Sequence, residues 1–257
     1  MTSADILAFL CGSAVGLVLA LIGGGGSILA TPALLYIVGV ANPHVAIGTS
    51  ALAVSVNAFA NFVNHLRRGN VKWKCAAVFA VAGVIGAAEG ASVGKATDAK
   101  LLLPLFALLM IVVGIAMLRP RKDDGGSDVS LDANNTPKLV MYGLGVGALS
   151  GFFGIGGGFL IVPGLIGATG MSMLHAIGSS LLSVGAFGAT TAATYAADNL
   201  IDWRIALLFI AGGILGGLIG AGFATHLSKQ RGAFQRVFAG VVFAVATYML
   251  WRSLLSP

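Results

Sequence analysis

Long apolar stretches separated by short polar ones dominate the chain. Eight of them have the length of a membrane-crossing helix, which needs about 20 apolar residues. They are residues 4–22, 44–65, 73–94, 100–118, 138–153, 172–197, 203–226 and 232–253. Two shorter apolar pieces, near 27–40 and 159–169, fall short of a full crossing and are typical of half-helices or re-entrant segments. The pattern predicts an all-α, polytopic membrane protein.

The composition also indicates a membrane protein and bears on which partners the chain is expected to have. Of 257 residues, 57% are hydrophobic and only 9% are charged, whereas a soluble domain carries about 25% charged residues. The net charge of +6 comes from Lys and Arg in short loops between the apolar stretches, where such residues set membrane orientation. We therefore expect a lipid bilayer as the surroundings and no nucleic-acid partner.

The two cysteines, Cys11 and Cys75, lie in or beside apolar stretches without a CxxC motif or a nearby histidine. We interpret both as packing residues. No two histidines have the i, i+4 spacing of a metal site. The sequence therefore predicts no metal site and no cofactor.

A glycine cluster interrupts the first apolar stretch in each half of the chain. Residues 23–26 are four glycines, followed by Ser27 and, five residues later, Pro32. Residues 154–158 read Gly-Ile-Gly-Gly-Gly and are followed by Pro163. Both residue types disfavour a helix interior, and irregular backbone at membrane depth is tolerated only where protein or a cavity surrounds it. Breaks at corresponding places in two halves point to the substrate site of a transporter.

The two halves are related by an internal duplication. The segment 46–50, Ala-Ile-Gly-Thr-Ser, matches 176–180, Ala-Ile-Gly-Ser-Ser, at an offset of 130 residues, and Trp73 matches Trp203 at the same offset. We predict an N-terminal repeat (1–118) and a C-terminal repeat (138–257), each of about four spans. A polar cytoplasmic linker, 119–137, joins them.

The distribution of basic residues favours inverted repeats. The loop 64–74 carries four Lys or Arg, whereas its counterpart in the second half carries Asp198, Asp202 and a single Arg204. By the positive-inside rule, an inverted arrangement places 11 of the 15 basic residues inside and a parallel one 10, so the parallel arrangement stays open. Inversion requires each broken segment to turn back across the membrane.

The glycine clusters are the first candidate site. A half-helix that starts after each cluster presents free N–H groups and the positive end of its dipole, which together favour an anion. The alternative is close helix packing or a hinge without a ligand. The predicted substrate-binding backbone is Gly24, Gly25, Gly26, Ser27, Gly156, Gly157 and Gly158.

Polar side chains in the spans extend that site. The hydroxyls of Thr49, Ser50, Ser179 and Ser180 recur at the repeat offset. They suit hydrogen bonding to an oxyanion, although they also suit bonding to their own helix carbonyls. Asn57 lies on a polar face of its span, which indicates either contacts between helices or a permeation path. We include all five residues in the predicted substrate site.

Proton coupling is a separate hypothesis. Glu89 is the only acidic residue well inside a span, and an intramembrane ionisable residue suggests function by default. His44 and His175 lie just before the Gly-Ser motifs, and histidine is a residue type that often carries protons in transporters. The alternative assigns Glu89 to the membrane interface and the histidines to loops.

Enzyme chemistry finds little support. An intact Gly-x-Ser-x-Gly nucleophile motif is missing, and neither Ser50 nor Ser180 has an evident His–Asp pair. We predict no catalytic residues.

The ordered set of motifs resembles the sulfite exporter TauE/SafE family. In the first half it comprises the segment 16–27, Pro32, the segment 46–50 and the segment 68–73. In the second half it comprises the segment 151–158, Pro163, the segment 176–180 and Asp202-Trp203. The resemblance covers nearly the whole chain outside the linker. It implies a multi-pass permease of the bacterial cytoplasmic (inner) membrane that moves sulfite or small organosulfur anions such as sulfonates without ATP.

The function predicted is secondary transport of a small sulfur oxyanion, with export as the expected direction. Two alternatives remain open at this point. One is a permease for another small solute, such as a carboxylate or a metal ion. The other is an intramembrane enzyme or a helical subunit without transport of its own. The sequence also leaves the oligomeric state and any coupling ion open.

Overall fold

A computed structural model describes residues 2–22, 24–118, 129–224 and 231–255. Its helices are α1 (Ser3–Ile22), α2 (Ala30–Pro32), α3 (Pro43–Arg67), α4 (Trp73–Ala96), α5 (Ala99–Leu118), α6 (Thr136–Phe153), α7 (Gly158–Thr169), α8 (Met173–Ala196), α9 (Trp203–Ala224) and α10 (Arg231–Leu255). Within the described residues, six helices are long and apolar enough to cross a membrane: α1, α3, α4, α5, α8 and α9. The predicted all-α membrane protein is confirmed. Most of the predicted linker, 119–128, lies outside the described residues.

The first glycine cluster ends α1 and turns the chain back along it. A 3-10 helix (Gly24–Leu29), α2 and a π-helix (Ala33–Val38) follow one another, and we call residues 24–38 the return segment. Gly26 packs on the α1 backbone, where an added Cβ would lie 2.7 Å from the Leu19 nitrogen. Farther along, Tyr36 lines the same cavity as Cys11, which is nearer the start of α1, and its π-helix contacts α1. The return segment therefore runs antiparallel to α1.

One detail of the first break differs from the sequence expectation. We expected a half-helix to begin after the glycines, at Ser27, but the helical turns begin at Gly24. Because Gly26 has no side chain, the tight 3-10 coil fits directly against α1. The glycines thus form the first turns of the segment rather than an uncoiled loop before it.

Glycine seams join the two halves. Helix α1 runs parallel to α9, with Gly16 against the carbonyl of Gly213. Helix α6 runs parallel to α4, with Gly147 against the carbonyl of Gly83. These two contacts are counterparts in the repeats. Each repeat therefore packs its first helix on the third long helix of the other, at a spacing that only glycine allows.

The seam gives a direct stability prediction. We expect Gly147→Val to lower the free energy of unfolding by about 3 kcal/mol or more, at the upper end of overpacking costs, because its Cβ would overlap the α4 backbone. Gly145→Val, two residues away, is the control, since an added Cβ there meets nothing within 4 Å. The measurement is the thermal unfolding midpoint in detergent. Equal unfolding midpoints for the two variants would contradict the close packing of α6 on α4 at Gly147.

Helices α3 and α8 cross antiparallel at the centre of the bundle. The Lys72 N–H donates to Ser179 Oγ at 2.9 Å beyond one end of the pair, and the Asp202 N–H donates to Thr49 Oγ1 at 2.9 Å beyond the other. Between them, the Ser55 hydroxyl donates to the Gly185 carbonyl at 2.7 Å. The two helices carry the matching sequence segments 46–50 and 176–180.

Candidate functional site

The second glycine cluster forms a left-handed turn between α6 and α7. Gly154, Gly156 and Gly157 have φ values of +66°, +64° and +64°, a region that non-glycine residues rarely adopt. The first bonds of α7 run from the Leu160 and Ile161 N–H groups to the Gly157 carbonyl. The N–H groups of Gly158 and Phe159 therefore precede the helical ladder and have no acceptor within it.

This turn lies between the two central helices. A Cβ added at Gly156 would lie 3.1 Å from Val54 of α3 and 3.2 Å from Val184 of α8. These two valines are counterparts in the repeats, so Gly156 sits close to the axis that relates them. Ile155, beside it, is fully buried. The turn is thus enclosed by protein, the setting in which irregular backbone is tolerated inside a membrane.

The first break approaches the same place from the other repeat. Its 3-10 helix contacts α7 and also touches α8. Ser27 and Ile28 are fully buried there. The structure therefore brings the two breaks, one from each half of the chain, into contact in the interior.

Ser150 belongs to this region and was missed by the sequence reasoning. It lies on α6 four residues before Gly154, its side chain is fully buried, and its hydroxyl has no hydrogen-bond partner. A Cβ added at Gly157 would lie 2.9 Å from Ser150 Oγ. Its counterpart in the first repeat is Leu19. Matching the two repeats therefore did not single out Ser150. The only sign of it in the sequence was a lone serine within an apolar span.

Asn57 is another of the buried polar groups without a partner. Only 1% of its surface is exposed, and neither Nδ2 nor Oδ1 forms a hydrogen bond. Its amide packs on Gly213 of α9, whereas its counterpart Phe187 packs on Gly83 of α4. An unpaired buried amide costs about 1–3 kcal/mol by protein mutational data. A native protein that retains one invites a functional explanation, such as a water or a solute that supplies the missing partners.

The four predicted hydroxyl residues do not converge on one point. Thr49 and Ser179 accept backbone N–H groups beyond opposite ends of the α3–α8 pair. Ser50 donates to the Ile47 carbonyl at 3.0 Å and pairs with Thr31 of the return segment at 2.8 Å, while Ser180 donates to the Ile177 carbonyl at 2.8 Å. All four side chains are fully buried. These bonds tie loops and helices together, and Ser50 alone links the central pair to a glycine break.

The three residues considered for proton coupling lie on three different helices. Glu89 is exposed on α4. His44 and His175 occupy the first turns of α3 and α8, which lie at opposite ends of the bundle because these helices are antiparallel. His175 Nδ1 bonds to Ser172 Oγ at 2.8 Å, and His44 Nδ1 is buried without a partner. Among the described residues, three or more His, Cys, Asp or Glu side chains do not cluster anywhere as a metal site would require.

Comparison with known proteins shows the family to which the chain belongs. The family model described as Sulfite exporter TauE/SafE matches residues 8–249. The chain belongs to this family. A probable membrane transporter protein of Xylella fastidiosa is 52% identical over 94% of the chain and 93% of its own length. A probable membrane transporter protein of Bacillus subtilis, YdhB, is 25% identical over 84% of the chain and 88% of its own length. No solved structure matches this TauE/SafE family member.

Membership confirms the resemblance noted from the motifs. This TauE/SafE protein is a multi-pass membrane protein of a transporter family. The glycine breaks and the antiparallel α3–α8 pair therefore belong to a membrane transporter.

Proposed function

We propose that this TauE/SafE protein is a secondary transporter of small sulfur oxyanions, sulfite or an organosulfonate, and that it exports them across the cytoplasmic membrane. It carries out no enzymatic reaction. The observation that carries the proposal is the contact of the two glycine breaks inside the bundle, beside the amides that open α7 and the unpaired hydroxyl of Ser150. The family description names sulfite export.

Neutral donors suit such a substrate. The N–H groups of Gly158 and Phe159 carry the positive end of the α7 dipole. The Ser150 hydroxyl and the Asn57 amide add donors that do not have to release a partner in the protein first. A full positive charge would hold an anion tightly, whereas a carrier must bind well enough to load and weakly enough to release. Amides and hydroxyls meet both needs.

We propose, further, that the repeats are inverted in the membrane. The antiparallel pairing of the counterparts α3 and α8 supports this, as does the return segment that runs back along α1. Arg67, Arg68 and Lys72 then lie at the cytoplasmic end, by the positive-inside rule. Lys95, paired with Asp198, lies at the opposite end.

Export needs no coupling ion in this scheme. A membrane potential that is negative inside drives an anion outward by about 2.3 kcal/mol per charge per 100 mV. Since Gly156 is wedged between Val54 and Val184, the packed centre must open toward each side in turn. A rocking motion of one repeat against the other, as in other inverted-repeat carriers, provides that access.

Proteoliposomes test the function. Vesicles that contain the purified protein are loaded with labelled sulfite, a short alkylsulfonate or a short carboxylate, and efflux is followed with and without an imposed potential. We expect sulfite or the sulfonate to leave faster than from protein-free vesicles, and faster still when the interior is negative. If only the carboxylate shows protein-dependent efflux, the substrate is a carboxylate and not a sulfur oxyanion. No protein-dependent efflux of any of the three would remove the proposal.

Glu89 gives a test of proton coupling. Because this side chain is exposed on α4, we expect Glu89→Gln to leave the pH dependence of sulfite flux unchanged. The measurement is the initial rate of efflux between pH 6 and 8, with Asp98→Gln as a control for loss of one acidic residue elsewhere. A pH response lost in Glu89→Gln but kept in the control would instead assign proton transfer to Glu89.

A further inference from the structure

A lateral cavity separates α10 from the first repeat. It has a volume of about 480 Å³ and lies between α1, the return segment and α10, within the range of about 300–1,000 Å³ typical of small-ligand pockets. Its wall is aliphatic and aromatic apart from the Cys11 thiol and the two tyrosine hydroxyls. Three of its lining side chains, Ile37, Val241 and Tyr248, are 53%, 44% and 42% exposed. The cavity is therefore apolar and opens on the outer surface of the bundle, which a bilayer covers.

A polar cluster stands at one end of this cavity. The rings of Tyr36 and Tyr248, both in the wall, meet edge to face with their centroids 5.3 Å apart. The Arg252 guanidinium donates to the Tyr248 hydroxyl at 3.3 Å and lies 5.3 Å from the centre of the Tyr36 ring. Arg252 itself is exposed, in the last turn of α10. Two tyrosines thus hold an exposed cation beside an apolar hollow.

The cluster lies at the level where lipid headgroups are expected. The return segment leads from the end of α1 back toward its start, and Tyr36 is near the far end of that segment. Arg252 therefore projects at the α1 N-terminal end of the bundle. Aromatic residues and snorkelling cations are enriched at membrane–water interfaces. A cation there attracts a phosphate headgroup, while the hollow below it lies at the depth of acyl chains.

The second repeat carries different residues at two of the corresponding positions. The counterpart of Cys11 is Tyr142, and the counterpart of Tyr36 is Gly167. The Tyr142 ring lies against Gly167, since a Cβ added there would be 3.9 Å from its Cζ and hydroxyl. The two repeats have thus exchanged large and small residues at these positions. The first repeat carries the small residue on the helix and the tyrosine at the rim.

We propose that this cavity is a lipid site that takes one acyl chain of an anionic phospholipid, with Arg252 contacting its phosphate. Arg252 is pre-positioned by the Tyr36 ring and the Tyr248 hydroxyl, so it keeps donors free for the headgroup while its stem follows the apolar wall. The site is separate from the glycine breaks and does not depend on what the protein transports. The lipid would fill the gap between α10 and the first repeat without displacing a helix.

Native mass spectrometry of the detergent-solubilised protein tests the site. Equal amounts of phosphatidylglycerol and phosphatidylcholine with identical chains are added, and the lipid retained by each variant is counted. We expect several-fold more phosphatidylglycerol than phosphatidylcholine on the unaltered protein. Arg252→Gln should remove that preference. Lys100→Gln, which removes an exposed charge from α5 outside the cavity wall, should keep it.

Substitutions that fill the cavity test whether it binds an acyl chain. Ala244→Phe places a ring in the cavity from an exposed position of α10 and should lower retention of both lipids. Val237→Phe, on an exposed part of α10 outside the cavity wall, should not. Cys11→Tyr, which copies the other repeat, serves if Ala244→Phe does not fold. Equal retention of the two lipids, or full retention after the hollow is filled, would overturn the proposal. A dimer of the unaltered protein that Ala244→Phe dissociates would also overturn the proposal. In that case a second copy of the chain, rather than a lipid, would occupy the gap.

Discussion

Gly157→Leu is expected to reduce sulfite efflux to the rate of protein-free vesicles. Gly157 has a φ of +64°, which a leucine rarely adopts, and its Cβ would press on the Ser150 side chain at 2.8 Å. The substitution therefore both strains the turn and fills the space beside the α7 amides. A leucine in the first break, Gly25→Leu, is expected to have the same effect because that segment contacts α7.

The control lies on the same helix. Gly167→Ala adds a methyl group at ordinary contact distance, 3.9 Å from Tyr142, and should retain most of the flux. Because Gly157→Leu also threatens folding, Ser150→Ala provides a milder test that removes one hydroxyl and no backbone freedom. We expect it to cost about tenfold in apparent sulfite affinity, the equivalent of about 1.4 kcal/mol. Wild-type efflux from folded Gly25→Leu and Gly157→Leu proteins would exclude the glycine breaks as the substrate site.

Asn57→Leu is expected to stabilise the protein while it abolishes transport. The two side chains have the same number of heavy atoms, and both amide atoms of Asn57 are buried without a partner. Replacing an unpaired buried amide by an apolar group of similar shape removes a desolvation cost of about 1–3 kcal/mol. A solute that passes this point would lose its polar contact. The thermal midpoint in detergent and sulfite efflux are measured on the same preparation.

This pair of readouts separates a functional from a structural role. If Asn57 held helices together, Asn57→Leu would lower the midpoint, and flux would fall only with the amount of folded protein. Asn64→Leu, near the end of the same helix and only partly buried, is the matched control and should change neither quantity strongly. A lower midpoint with unchanged flux per folded molecule would refute the assignment of Asn57 to the substrate path.

The regular elements were predictable because the bilayer dictates them. A span needs an apolar stretch of fixed length, so predicted spans such as 44–65 and 203–226 fall on α3 (Pro43–Arg67) and α9 (Trp203–Ala224). Glycine clusters interrupt helices for local backbone reasons, and α1 does end at Ile22 and α6 at Phe153, each just before its cluster. The repeat relation stays a prediction; it makes α3 and α8 counterparts, and the Ser55 hydroxyl of α3 donates to the Gly185 carbonyl of α8.

Contacts between distant residues were not predictable in the same way. Thr49 and Ser179 carry matching motifs, which suggested one shared site, but each bonds to a loop beyond a different end of the α3–α8 pair. Ser150 and Asn57 have apolar counterparts, Leu19 and Phe187. Matching the repeats therefore could not indicate that these two residues share a role. A pattern along one helix shows which residues share a face, but it does not show which other helix that face meets.

By itself, the sequence determined that this chain is a multi-pass, all-α membrane protein, and it indicated the family to which the chain belongs. Each of these follows from local hydrophobicity, backbone preference or motif order. Only the tertiary structure decided that the return segment runs back along α1, that its 3-10 helix contacts α7, and that Ser150 and Asn57 are buried without partners. The reason is that burial and hydrogen bonding depend on which faces of separate helices pack together, and that is fixed by all the contacts of the bundle at once.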